Sequence, residues 1–330
     1  MTDGSVHRFD GADGERIYQI PVRAFPSMIA HTYIVISAGY AALIDTGSGS
    51  AESNADLEAG MAAIRGRHDE GLTWDALTRI IITHGHIDHC GGLGYVRAQS
   101  AAPVAAHSLD LEAVRDHGAF MAAQMDTTAT FLRWAGVAEE LIVQLGRLFG
   151  AAASGAPGGD VATILADGDH LDGRFAVIHT PGHCAGHVCL RLGDVLFCGD
   201  HLLATTNPRL TPAHLEPHNG LAFYLAALDR IAAEPGIRLG LAGHEAPMAD
   251  IYARAGAIRE SHLSRLDQIR TVCRKPRTIL EMAAQIYPEM RGASPLLLAL
   301  QAIAARVEYL EQRGALAATS TEMATHYRTL

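Results

Sequence analysis

The sequence predicts a layered α/β fold, and three observations carry that reading. Short apolar, β-branched runs alternate with stretches of helix length and composition. The runs end at Gly, Pro or Asp, the residues that turn a chain. A content of 48% hydrophobic residues in 330 is ample for one domain of about 200–250 residues plus a small one.

In chain order, residues 16–45 read as a meander of strands, Ile17 to Val22, Thr32 to Ser37 and Ala41 to Ile44, joined by short turns. Ser53 to Arg67, with good helix formers and few breakers, reads as a helix, and Ile80-Ile81-Ile82-Thr83 as the next strand. Leu109 to Leu148 reads as mostly helical and is rich in bulky apolar side chains, including Phe120, Met121, Met125, Phe131, Leu132 and Trp134. The small-residue stretch Ala151 to Gly159 reads as flexible, so residues 109–150 are expected to form a substrate lid, with Phe131 and Trp134 touching the substrate. A strand-rich block from about 161 to 200, a helix Leu221 to Ala233 and a strand Leu239 to Ala242 follow. The last part, residues 256–330, reads as a separate unit after residues 1–255. Its helices are Ile258 to Val272, Thr278 to Ile286 opened by a Thr cap, and Pro295 to Gln312 closed by Gly314, with two short strands in Leu316 to Leu330.

Chemistry concentrates in His84-Gly85-His86-Ile87-Asp88-His89, four metal-capable side chains within six residues at the end of a strand. On an extended segment His84 and His86 point to the same side, and Asp88 and His89 lie around the turn. One ion is usually satisfied by about four ligands, so this crowd plus others downstream predicts two adjacent ions. His183, Asp200 and His244 each follow an apolar run and a Gly, which lets the backbone turn close to an ion.

With these residues in view, the chain resembles the metallo-β-lactamase-fold hydrolases, which pair a His-x-His-x-Asp-His motif with later His, Asp and His ligands in this order. Leu43-Ile44-Asp45-Thr46-Gly47 and Gly91-Gly92 are similar to that family's turns before and after the motif. The resemblance implies an αββα sandwich of two mixed β-sheets flanked by helices, with residues 1–255 as the catalytic domain. It implies His84, His86 and His183 on one metal, Asp88, His89 and His244 on the other, and Asp200 bridging. His187 resembles the second His of the family's Gly-His-x-x-Gly-His stretch. The 256–330 unit resembles the winged-helix-like tail of one branch, which includes endoribonucleases.

Two divalent ions about 3.5–4 Å apart can share a water and lower its pKa toward neutrality, giving a hydroxide nucleophile without serine or cysteine. Asp88, near that water, is expected to hand its proton to the leaving group. Zinc is the expected metal, with iron or manganese suited to the same ligands. His31, His187 and His201 are expected to orient ligands from behind, and Arg209, shortly after Asp200, to grip an anionic part of the substrate. Cys90 and Cys184, each next to a ligand, read as packing residues rather than ligands.

Charge bears on the substrate. Residues 256–330 hold 10 Lys and Arg against 7 Asp and Glu, while the first 255 hold 16 against 29. An acidic body disfavours a nuclease, which needs a basic track for phosphates. The expected reaction is therefore hydrolysis of a small acyl substrate, a thioester, ester or lactone. A metal-dependent endoribonuclease or phosphodiesterase using the tail to bind RNA is the alternative, and a non-hydrolytic iron or manganese protein the second. No 18-residue apolar run or secretory h-region is visible and the five cysteines form no C-x-x-C pair, so a cytoplasmic protein with reduced thiols and no membrane partner is expected. The apolar stretch Leu296 to Leu300 is a candidate homodimer contact.

Overall fold

Four antiparallel strands begin the chain: β1 (His7–Asp10), β2 (Arg16–Phe25), β3 (Met28–Ser37) and β4 (Tyr40–Ile44). The computed structural model describes residues 5–68, 70–152, 157–290, 292–321 and 324–330, and the backbone alone at 146–152 and 294. Helix α1 (Ala51–Arg67) follows, capped by the Ser50 side chain, which accepts the Ser53 N–H. Strands β5 (Arg79–Ile81), β6 (Val104–His107) and β7 (Thr163–Leu165) add in parallel and complete a seven-stranded sheet in the order β1 to β7. Helices α2 (Ile87–Cys90) and α3 (Leu93–Arg97) separate β5 from β6. Between β6 and β7 are inserted α4 (Leu111–Arg115), α5 (His117–Ala123), α6 (Met125–Trp134) and α7 (Glu139–Ala152).

The second sheet is built from the antiparallel strands β8 (His170–Leu171), β9 (Phe175–His179), β10 (Val188–Leu192) and β11 (Val195–Gly199). Helix α8 (Leu221–Ala233) then crosses over, so that β12 (Leu239–Ala242) joins β11 in parallel. The tail comprises α9 (Ile251–Val272), α10 (Ile279–Ile286), α11 (Ala293–Gln312) and the hairpin β13 (Leu316–Ser320) and β14 (Thr325–Thr329).

Alternation along the strands sorts the apolar residues into three cores. Ile17, Tyr33, Val35, Ala42 and Ile44 of the first sheet meet Val177, Leu190, Val195 and Phe197 of the second. Their neighbours Tyr18, Ile20, Ile34 and Leu43 face outward onto Leu57, Met61 and Ile64 of α1. On the far side, Ile178, Cys189, Leu196 and Cys198 pack against α8, α9, the inserted helices and the tail. The result is the αββα sandwich. Truncating a side chain such as Leu57 to Ala should cost about 2–5 kcal/mol, since these layers have no slack to refill a cavity.

Some boundaries differ from the sequence expectation. Helix α9 starts at Ile251 rather than Ile258, because Asp250 caps it by accepting the Tyr252 and Ala253 N–H groups; Gly256 sits inside it with open space beside its Cα. In the expected flexible stretch, residues 153–156 lie outside the described residues, whereas Pro157 to Gly159 are pinned. The Pro157 carbonyl accepts the Gly94 N–H at 2.9 Å, and a side chain on Gly158 would collide with the Val114 carbonyl. Of the apolar stretch Leu296 to Leu300, Ala299 and Leu300 are buried in this chain's own core, while Leu296 and Leu297 pack against it half-buried. Among the described residues no helix is long and apolar enough to cross a membrane.

Candidate metal centre and adjoining cavity

The segments after β5, β9, β11 and β12 converge. His84 to His89 follow β5, with Asp88 and His89 on the single turn of α2; His183 follows β9, Asp200 β11 and His244 β12. Their ligand atoms form two groups, His84 with His86 and His183, and Asp88 with His89 and His244, each within 4.8 Å; a third such group joins Asp200 to His84 and His89. Within this space His84 Nε2 is 3.1 Å from His86 Nδ1, His244 Nε2 3.2 Å from Asp88 Oδ2, and His183 Nε2 and His244 Nε2 each 3.5 Å from Asp200 Oδ2. Gly243 is required here, since a Cβ would stand 2.5 Å from both Asp200 Oδ1 and His89 Cε1.

Four rings have their outer nitrogen occupied, which turns the inner one toward the shared hollow. His89 Nδ1–H donates to Asp45 Oδ2 at 2.8 Å, His183 Nδ1–H to the Arg209 carbonyl at 2.6 Å and His244 Nδ1–H to the Ile29 carbonyl at 2.6 Å. His84 Nδ1 lies 3.1 Å from Thr83 Oγ1, whose own proton goes to Asp45 Oδ2. His86 is turned the other way, with Nδ1 inward and Nε2 3.4 Å from Arg209 Nη2. His89 Nε2, His183 Nε2 and Asp200 Oδ1 are buried with no hydrogen-bond partner among the described residues. Ring nitrogens and carboxylate oxygens crowded together in a buried hollow call for positive charge between them, so the donor set fits divalent metal.

Electrostatics agree. Burial, followed by the neighbouring histidines, holds His84 well below its ordinary pKa, and burial with His183 and Arg209 does the same to His86. Burial also opposes a charge on His244, but Asp200 and Asp88 outweigh it and push that ring up to about 10. In the same way burial works against the Asp88 carboxylate, yet His89 and His244 hold it below the usual range.

Other side chains set the frame. Asp45, in a left-handed conformation at φ 58°, takes the Thr83 N–H, the Thr83 hydroxyl and His89 together. The buried Asp110 accepts from the Gly85 and Gly186 N–H groups and the Cys184 thiol, tying the loop of His86 to that of His183. Neither acid is among the site residues expected from sequence; each stands alone at a strand end, and its partners lie 25 to 76 residues away. The Cys90 thiol donates to the Gly85 carbonyl, a packing role.

The expected supporting histidines divide. His187 receives the Asp200 N–H on Nε2 at 3.0 Å and has Nδ1 2.7 Å from Thr180 Oγ1, so it positions the Asp200 backbone. His31 donates its backbone N–H to the Gly243 carbonyl, one residue before His244, with its ring Nδ1 3.0 Å from Gln19 Nε2. His201 differs from expectation: both ring nitrogens lack a hydrogen-bond partner among the described residues, and its ring packs on Tyr224 at 5.0 Å.

A cavity of about 260 Å³ opens at His86 and Arg209. Its walls are His117, Phe120, Met121, Met125, Ala129 and Leu132 from α5 and α6, Ile142 and Leu145 from α7, Leu215 and Glu216 from the 209–216 loop, and Leu297 and Gln301 from α11. Burial and the Asp110 charge push the Glu216 carboxyl up to about 7. Phe131 and Trp134, expected to touch substrate, do not line the cavity. Phe131 is fully buried in the core behind α6, and Trp134 stacks on His214 at 4.3 Å with Tyr327 at its edge. The same helix shows its Met125, Ala129 and Leu132 side to the cavity. Arg209 alone of the three expected contacts stands at the mouth.

Comparison with known proteins identifies this geometry. The profile of the metallo-beta-lactamase superfamily matches residues 28–270. A hydroxyacylglutathione hydrolase of Cupriavidus taiwanensis is 29% identical over 236 residues, 67% of this chain and 72% of the relative. One of Shewanella baltica is 25% identical over 53% of this chain and 50% of its own length, so the chain spans only about half of that relative. A crystal structure of a metallo-beta-lactamase family protein from Thermus thermophilus superposes with a TM-score of 0.77 at 27% identity, covering 95% of this chain and 98% of the other. These likenesses and the His/Asp clusters support a metal-dependent hydrolase. With the superfamily profile matching most of its length and the sandwich fold in agreement, the chain belongs to the metallo-beta-lactamase superfamily.

Proposed function

We propose that the protein is a dinuclear metal-dependent hydrolase of a small acyl substrate, with a thioester favoured over an ester or lactone. The observation that carries this reading is a buried hollow of His and Asp ligand atoms opening into an apolar cavity with one cation at its mouth. The thioester preference draws on the relatives, which are named for hydrolysis of hydroxyacylglutathione. His84, His86 and His183 would hold one ion, Asp88, His89 and His244 the second, with Asp200 shared. A set rich in imidazole suits zinc, and iron or manganese fits the same donors. Such a pair supplies Lewis acidity and makes water acidic enough to yield a nucleophile at neutral pH.

The chain's own residues do the rest. Asp88 takes the proton of the attacking water and returns it to the leaving group. Asp45 keeps the His89 proton on Nδ1, and His187 keeps Asp200 in place. Arg209 has a conditional partner: once His86 Nδ1 is engaged, the ring's proton sits on Nε2, which then no longer accepts from the guanidinium and leaves it free for an anionic group of the substrate. The inserted helices exclude water and hold the acyl group. Residues 256–330 act as a winged-helix-like module that braces this wall, for Glu308 of α11 accepts the Ala213 and His214 N–H groups of the Arg209 loop. The described charged residues lining the cavity are Arg209 and Glu216, which favours an acyl group over the phosphate backbone of RNA. The test is hydrolysis of acyl thioesters by protein of known metal content, before and after chelation. Turnover that survives complete metal removal would contradict the proposal.

A further inference from the structure

The loop that carries Arg209 joins the tail to the metal centre. Arg209 touches two members of the His84, His86 and His183 group: its carbonyl takes the His183 Nδ1–H at 2.6 Å, and its guanidinium Nη2 lies 3.4 Å from His86 Nε2. Two residues on, the Thr211 hydroxyl donates to the His183 carbonyl at 3.4 Å. The other side of the loop is held by α11, where Glu308 Oε2 accepts the Ala213 N–H at 2.8 Å and Oε1 the His214 N–H at 2.9 Å. Between the two attachments stands Pro212, whose ring fixes its own φ. Glu308 is buried, with the His214 ring 4.0 Å away and no Lys or Arg paired to it among the described residues. Burial pushes its carboxyl up, and the two N–H groups act against that shift. A buried carboxylate is costly unless donors meet it, and bonds to a charged acceptor are the stronger kind, so this pairing holds the loop firmly.

We infer that Glu308 is a positioning residue for the metal centre, acting through the 209–214 loop on His183, so that α11 of the tail sets how tightly the ion of His84, His86 and His183 is held. This rests on the ligand assignment proposed above. A ligating histidine is oriented by the partner of its other ring nitrogen, and loss of such a partner weakens a metal site about 10- to 100-fold. Without the Glu308 carboxylate two backbone N–H groups lose their acceptor, the loop shifts to satisfy them, and the Arg209 carbonyl leaves the line of the His183 ring. His89 and His244 are tied instead to Asp45 and the Ile29 carbonyl, outside this loop, so the second ion does not depend on Glu308.

The experiment measures metal affinity of the full chain by competition with a chromophoric chelator, with the visible spectrum of the cobalt-substituted protein as a second readout. Glu308→Gln keeps the size of the side chain but turns an amide N–H toward one of the two donors, and Glu308→Ala removes both acceptors. Ile303→Val, a core truncation on the same helix, lowers stability and leaves both ties in place. Glu308→Gln should weaken one ion about tenfold, keep the other within about twofold and shift the cobalt bands. Glu308→Ala should act in the same direction and more strongly, whereas Ile303→Val should keep both affinities within about twofold. The inference is overturned if the folded Glu308 variants hold metal as the parent does, or if Ile303→Val weakens binding as much, as a purely structural effect would. Absence of thioester hydrolysis by the fully metallated parent would count against the acyl-hydrolase reading instead, and the affinities would still decide the role of Glu308.

Discussion

The metal centre and the cavity beside it are held in opposite ways. At the centre, His89, His183 and His244 each have the outer nitrogen tied to a carboxylate or backbone carbonyl within 2.8 Å, and the ties come from the turn after β4, the Arg209 loop and β3. The cavity wall is assembled from inserted helices, one loop and the tail, largely through apolar side chains, with Glu308 of α11 tying the loop to the tail. A rigid sheet edge fixes ligand geometry, while added helices can change shape without disturbing it. Chemistry and selectivity should therefore fail separately when each region is altered away from the Arg209 loop that joins them.

The largest separation is expected from Asp88→Asn. In protein loaded to the same metal content it should lower turnover by about a hundred- to ten-thousandfold, far more than it lowers stability, since a proton carrier is lost along with one carboxylate ligand. Near-normal turnover in fully metallated protein would remove Asp88 from the mechanism. Asp45→Asn comes next. Asparagine tolerates the left-handed backbone at this position, but it cannot hold Thr83 and His89 with a carboxylate, so metal affinity should fall about 10- to 100-fold in competition with a chromophoric chelator. An unchanged affinity would show that the centre does not depend on its outer ties.

On the cavity side, Leu132→Trp should fill the pocket and lower kcat/KM for octanoyl thioester by about tenfold or more with metal content unchanged. Trp134→Leu, on the opposite face of α6, should cost stability of about 1–3 kcal/mol with little effect on kcat/KM. The reverse pattern would put the substrate on the wrong side of the helix. The smallest effect is assigned to Arg209→Ala, a several-fold rise in KM for an anionic substrate with kcat kept. Equal changes for a neutral substrate would argue against a role in gripping charge.

The same contrast governed what could be read from sequence. His84 to His89 were legible because ligation demands particular residue types crowded into few positions, and His183, Asp200 and His244 because each follows a buried strand and a Gly. Helix α8 was legible at both ends, as was the Thr278 cap of α10, where the capping box with Glu281 is formed. Asp45 and Asp110 were not legible as supports: a lone acid carries no local pattern, and its partners are brought near only by the closed sandwich. That Phe131 and Trp134 lie off the cavity was not legible for a related reason. Helix α6 is apolar on both its faces, one toward the cavity and one toward the core, and only packing tells them apart.

The most direct test of a dinuclear acyl hydrolase combines metal analysis of the purified protein with hydrolysis of a matched panel: acyl thioesters, acyl-homoserine lactones, a β-lactam and a single-stranded RNA. The expected result is about two divalent ions per chain and acyl hydrolysis that is lost on chelation and restored by metal. Metal-dependent RNA cleavage without acyl turnover would contradict it, and would make the tail, rather than the apolar cavity, the place where substrate binds.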